Sequence, residues 1–179
     1  FMKKTLSLIK NGALAITGAV ILSAGCANKQ QTQETVNEET TDEVTEENVG
    51  VQVYSVRDAL QEDFEGTIKK VADMGYKYIE AYGMDLEGNI FGMPAREYRR
   101  IVEENGMELI SCHASYFTPD QAPKIIEASK EAGLKYLIVP YLSEELRSDY
   151  RAIAKNFNEV GAMFKGTGIK FGYHNHDFE

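Results

Sequence analysis

The chain has 179 residues and a formal net charge of −9, with 28 acidic against 19 basic side chains. It carries no Lys/Arg cluster or basic stripe after residue 48, which argues against nucleic acid as a partner. Cys112 is the only cysteine beyond the N-terminal region, so an internal disulfide is excluded there and the fold must hold by packing.

Phe1 is an odd start, and Met2 reads as the initiator. Lys3, Lys4 and Lys10 form a positive leader, and an apolar stretch over residues 13–24 runs into Leu22-Ser23-Ala24-Gly25-Cys26. This is the layout of a secretory signal, too short for a membrane span of about 20 residues. Small residues directly before Cys26 resemble a bacterial lipobox, although Ser23 stands where Leu is commoner. Residues 1–26 are therefore expected to be a lipoprotein signal with Cys26 as the lipidated residue. The expected location is the cell envelope, with the protein exported and anchored to a bacterial membrane through lipid alone. Residues 27–48 read as a disordered acidic tether: residues 30–48 carry seven acidic side chains, no basic one and no aromatic.

From residue 49 the chain repeats one phrase of helix, Gly and apolar strand. The strand openings follow Gly75, Gly106, Gly133 and Gly168, spaced by about 30 residues, the size of a βα unit. Each Gly suits a helix end, where left-handed backbone is favoured. A first strand is predicted over residues 50–56. Asp63 is predicted to cap a helix with Phe64, Ile68, Val71 and Met74 on its apolar face. Pro94 opens the next helix, with Tyr98, Ile101 and Val102, and Thr118-Pro119 opens a third, with Ile125, Ile126 and Ala128 inward. Residues 143–165 read as one longer helical region with Tyr150, Ile153, Phe157, Val160 and Phe164. Five strands alternating with four helices imply a parallel α/β sheet, either doubly wound or a (β/α)8 barrel seen as far as its fifth strand. No Gly-x-Gly-x-x-Gly follows the first strand, where a dinucleotide-binding sheet would place it.

Four segments carry a family resemblance. They are Val51-Gln52-Val53-Tyr54-Ser55-Val56-Arg57-Asp58, Gly75-Tyr76-Lys77-Tyr78-Ile79-Glu80, Ser111-Cys112-His113, and Gly172-Tyr173-His174-Asn175-His176-Asp177-Phe178-Glu179. Together they resemble the sugar phosphate isomerase/epimerase family of the xylose-isomerase-like TIM-barrel superfamily, over residues 49–179. The resemblance implies the N-terminal part of a TIM barrel truncated after strand five, with five parallel strands and four helices. It also implies a divalent metal ion (Mn, Mg, Co or Zn) at the barrel mouth, with most ligands from later strands. Members often place a metal-binding Glu on strand five, where this chain has Tyr173-His174, so His174 is the expected metal ligand. Glu179 matches a family Glu that contacts substrate hydroxyls.

Residues two apart share a face of a strand. In strand five Ile169, Phe171 and Tyr173 then face the helices, and His174 faces the barrel interior. Counted from their glycines, Glu80 and His113 fall on the opposite parity, with Ala81 and Cys112 inward. Only a bulge or an early strand end would turn Glu80 and His113 into the mouth. Cys112 reads as a small buried residue rather than a nucleophile. The candidate catalytic residues are His174, Glu179, His113 and Glu80. The candidate substrate contacts are Tyr54, Arg57, His176 and Asn175, with Tyr116 and Tyr141 on neighbouring loops. The expected function is metal-dependent isomerisation or epimerisation of a sugar or keto sugar through an enediolate. The alternatives are a polyol dehydratase or lyase of the same superfamily, and a non-catalytic carbohydrate-binding lipoprotein. A small-molecule carbohydrate is the expected partner. The 179-residue chain alone is expected to be inactive and to associate, as a homo-oligomer or aggregate, through unpaired sheet edges.

Overall fold

A computed structural model describes residues 49–178. The signal, tether and Cys26 expectations lie outside the described residues, as does Glu179.

Strand β1 (Gly50–Gln52) leads through a 3-10 turn (Val53–Val56) into α1 (Arg57–Glu62) and α2 (Phe64–Asp73). The first strand is thus shorter than the apolar run suggested, and Tyr54 sits on the turn. Asp63 caps α2 as expected, its Oδ1 accepting from the Gly66 amide at 3.0 Å. Thr67, Ile68 and Val71 are buried, but Met74 is 73% exposed. The helix has ended by Met74, and Gly75 at φ +96° turns the chain away, so the apolar stripe stops at Val71.

Strand β2 (Tyr78–Met84) is followed by a hairpin that the periodicity did not signal, β3 (Asn89–Ile90) and β4 (Met93–Pro94). Phe91 and Gly92 form its two-residue loop at φ 54° and 77°, the left-handed pair that a tight hairpin turn requires. Next come α3 (Ala95–Glu104), β5 (Glu108–Ala114), α4 (Ala122–Glu131) and β6 (Tyr136–Val139). Helix α4 starts later than Thr118-Pro119; those residues form a turn in which the Gln121 side chain accepts from the Thr118 amide. Residues 143–165 divide into α5 (Glu144–Arg147) and α6 (Tyr150–Met163), because each stretch has its own cap. Ser143 Oγ accepts from Leu146 N, and Asp149 Oδ1 accepts from the Arg151 and Ala152 amides. Tyr150, at the start of α6, faces out rather than into the core. Strand β7 (Lys170–Tyr173) closes the described series.

Strands β1, β2, β5, β6 and β7 pair in parallel, each beside the next, and the hairpin adds two short antiparallel strands at the end of β2. Among the described residues the sheet is open, not closed into a barrel. Ile79, Ala81, Leu109, Cys112, Leu137 and Val139 face the helices and are buried, with Ile68, Tyr98, Val102 and Ile125 against them. Phe171 stacks on Phe164 of the α6 end at 5.5 Å and meets Phe157 at 5.6 Å, so the helix-facing side of β7 is as expected.

Two bulges interrupt the ladder between β2 and β5. Ile79 pairs with Leu109 but Glu80 with Ser111, which leaves Ile110 as an extra residue in β5. Ala81 pairs with Cys112 and Met84 with Ala114, which leaves Tyr82 and Gly83 together opposite His113. Gly83 adopts φ +80°, a conformation that L side chains rarely take.

Candidate functional site

The register corrects the expected parity at two positions. Gln52, Glu80, Ser111, Tyr136 and Lys170 lie in one row across the sheet. Glu80 and Ser111 are hydrogen-bonded on the face away from the helices. Ala81 and Cys112, expected inward, belong instead to the helix-facing core. The causes differ. For Glu80, β2 starts three residues after Gly75, whereas β7 starts two after Gly168, so counting from the glycine slips by one. For His113, the Ile110 bulge supplies the shift that the sequence reading required. Burial with no cationic partner pushes the Cys112 thiol up, in keeping with an inert packed residue.

On this face the side chains of β1, β2 and β5 form a connected series. His113 Nε2 lies 3.1 Å from Glu80 Oε1, and Ser111 Oγ donates to Glu80 Oε2 at 2.7 Å. Gln52 Nε2 lies 3.3 Å from His113 Nδ1. An amide nitrogen can only donate, so in the neutral ring Nδ1 is the acceptor and the proton is on Nε2, facing the carboxylate. His113 is 6% exposed. Its ring is 5.5 Å from that of His174, which stacks on His176 at 4.8 Å.

The hydrogen bond from His113 lowers the Glu80 pKa below the usual carboxylate range, and that from Ser111 adds to it, while burial opposes both. A folded-state pKa below the unfolded one gives stability that is present above the unfolded value and lost as pH falls through the folded one. The chain is therefore expected to lose part of its stability as pH drops below about 4.3. Urea midpoints measured against pH should show a shallower acid decline in Glu80→Gln; identical declines would contradict the pairing.

Above this series opens a cleft of about 570 Å³. Its floor and near wall are Gln52, Tyr54, Tyr82, Gly83 and His113. The far wall comes from the end of β5 and the segments after β5, β6 and β7: Ala114, Ser115 and Tyr116; Pro140, Tyr141, Ser143 and Leu146; His174 and His176. Tyr54, Tyr116, Tyr141, His113, His174 and His176 are thus brought together in one cleft. Glu80 lies below them, reaching the cleft through His113. Arg57 stands at the rim, its guanidinium 4.8 Å over the Tyr54 ring and its Nη1 donating to the Tyr54 carbonyl, while Asn175 is exposed outside the lining. Phe178 stacks on His176 at 5.1 Å under the Arg147 guanidinium. Sequence reasoning missed Gln52, Ser111 and Tyr82. Gln52 had a usable signal, as the polar member of an otherwise apolar strand.

The donors present do not make a metal site. Both Glu80 oxygens and both His113 nitrogens are engaged with neighbours. Among the described residues no three His, Cys, Asp or Glu side chains converge as a cation would need. His174 is the one expected ligand that lies in the cleft.

No protein-family model and no curated protein matches the sequence. Solved structures do. A sugar phosphate isomerase/epimerase from Parabacteroides distasonis superposes with a TM-score of 0.64 at 22% identity, over 78% of this chain and 55% of that one. A second sugar phosphate isomerase/epimerase from the same organism gives 0.59 at 29% identity, over 73% and 55%. A xylose isomerase domain containing protein from Salmonella typhimurium gives 0.53 at 12% identity, over 72% and 49%. The chain spans about half the length of these structures, as the open sheet and five-strand series would suggest. Its described residues accordingly form an open α/β sheet that matches part of the TIM-barrel-like fold of sugar phosphate isomerase/epimerase and xylose-isomerase-like proteins.

Proposed function

We propose that the intact protein isomerises or epimerises a sugar or keto sugar, with His113 as the proton-transfer group and Glu80 as the residue that positions it. The observation that carries this reading is the hydrogen-bonded series Ser111–Glu80–His113–Gln52 at the base of the cleft. Glu80 holds the Nε2 proton and stabilises the imidazolium that forms, so Nδ1 is the basic atom on the cleft side. The long 3.3 Å contact with Gln52 is the one a substrate would displace. Nδ1 would then take the proton from the carbon next to the carbonyl. That C–H electron pair becomes the carbon–carbon π bond of an enediolate as the carbonyl pair moves onto oxygen. Return of the proton to the former carbonyl carbon, with the neighbouring hydroxyl proton passing to the oxygen that gained charge, gives the isomer; delivery of a proton to the opposite face of the same carbon, by a second acid from outside the described residues, gives the epimer. The freed Gln52 amide is placed to donate to the oxygen that gains charge.

Metal dependence and export are further parts of the proposal. A divalent ion would take His174 as one ligand and the others from outside the described residues. Lipidation at Cys26 would place the reaction at the cell envelope. The similarity to sugar phosphate isomerase/epimerase structures supports the substrate class.

The test is solvent exchange. The intact protein, incubated with keto sugars in D₂O, is expected to place deuterium on carbon next to the carbonyl, read by NMR. Binding without exchange would replace this reading with that of a carbohydrate-binding protein.

A further inference from the structure

Tyr82 is held with more care than its place in the core explains. The bulge puts it, with Gly83, opposite His113. Its ring is gripped edge-on from both sides, by Tyr54 at 5.1 Å and by Phe91 at 5.6 Å. Phe91 in turn stacks on Phe64 at 5.3 Å and occupies left-handed backbone at φ 54°, which costs free energy in a non-glycine residue. Yet the Tyr82 hydroxyl is shut off from solvent and has no hydrogen-bond partner among the described residues. Leaving a buried hydroxyl unpaired costs free energy, because its bond to water is lost and not replaced. Phenylalanine would keep every ring contact without that cost. Burial also pushes the phenol pKa up, so the group stays protonated and able to donate.

We propose that the Tyr82 hydroxyl is a binding group for a sugar hydroxyl in the cleft, a contact that fixes which carbon of the substrate faces His113. The inference rests on reading the cleft as a sugar site. Tyr82 lines that cleft beside Gln52, Tyr54 and His113. Tyr54, on its 3-10 turn, is 50% exposed and is the neighbour able to yield, so an entering ring reaches the hydroxyl by displacing the Tyr54 side chain. The ligand class is a polyhydroxylated ring or chain, whose oxygen accepts from the phenol where an apolar ligand would leave it unpaired. A positioned donor of this kind rejects analogues that lack the matching hydroxyl.

The test compares the intact protein with its Tyr82→Phe variant by calorimetric titration, using D-fructose, D-tagatose, D-ribulose and D-fructose 6-phosphate as probes. For whichever probe binds, Tyr82→Phe is expected to weaken binding by about 3- to 10-fold, the range of one neutral hydrogen bond. The deoxy analogue of that probe lacking the contacted hydroxyl should bind the two proteins alike. The variant should melt at the same temperature or higher, since it loses an unpaired polar atom. Equal affinity of both proteins for the probe overturns the proposal. So does a variant that melts several degrees lower, because the hydroxyl would then have a structural partner. If the unsubstituted protein binds none of the four sugars, the sugar reading of the cleft fails, and this inference falls with it.

Discussion

Replacing His113 with glutamine is expected to lower turnover by about 10²- to 10⁴-fold, the usual contribution of a positioned general base. The substitution retains an amide donor within reach of Glu80, so the carboxylate keeps a partner and folding should survive. The loss should therefore appear in kcat, with KM changed little, because Nδ1 is assigned to the proton in flight rather than to holding the sugar. Glu80→Gln tests the positioning role separately. It leaves the imidazole in place but removes the carboxylate that fixes its tautomer and orientation, so kcat should fall with KM little changed. A purely structural Glu80 would lower stability without that selective fall in kcat. If His113→Gln retained more than a third of the turnover, the proton would have to be moved by another group.

The second large effect concerns the fold. Leu137→Ala in the 179-residue chain is expected to cost about 2–5 kcal/mol, read from urea denaturation. Leu137 is 0% exposed and points into the layer between the sheet and its helices. Its sequence neighbour Tyr136 is 40% exposed on the other face, 5.7 Å from the Lys170 ammonium, and Tyr136→Ala should cost under about 1 kcal/mol. The pair tests the face assignment itself. A one-residue slip of β6 would exchange the two costs, since every side chain would change sides. It would also change which β6 residues lie beside Ser111 and His113, now Tyr136 and Ile138.

Much of this arrangement was legible in the chain. Gly75, Gly106, Gly133 and Gly168 all adopt positive φ between helix and strand, as their place in the repeat implied. The parity of β7 was right because Phe171 and Tyr173 are bulky and helix-facing, leaving little ambiguity about His174. Glu80 and His113 were misplaced because a glycine marks where a helix ends, not where the next ladder begins. The connector differs by one residue between β2 and β7, and a bulge has no periodicity of its own. The β3–β4 hairpin went unseen because two-residue strands are too short to alternate, leaving only Phe91-Gly92 as a turn signal. Tyr82 was invisible for another reason. In one dimension a tyrosine near a strand end looks the same with its hydroxyl paired or unpaired, and only packing against Tyr54 and Phe91 distinguishes the two.

The paired bulges have a mechanical consequence. Each interrupts the hydrogen-bond ladder between the two central strands at the level of the reactive side chains. Elsewhere these strands are clamped between helix contacts and regular pairing, so opening them would require disrupting the core. At Ile110 and at Tyr82-Gly83 fewer backbone bonds oppose a small local displacement. On its other edge His113 stays in regular register with Ile138 of β6, and Cys112 beside it lies in the packed layer. The slack is thus confined to the seam between β2 and β5, where Glu80 meets His113.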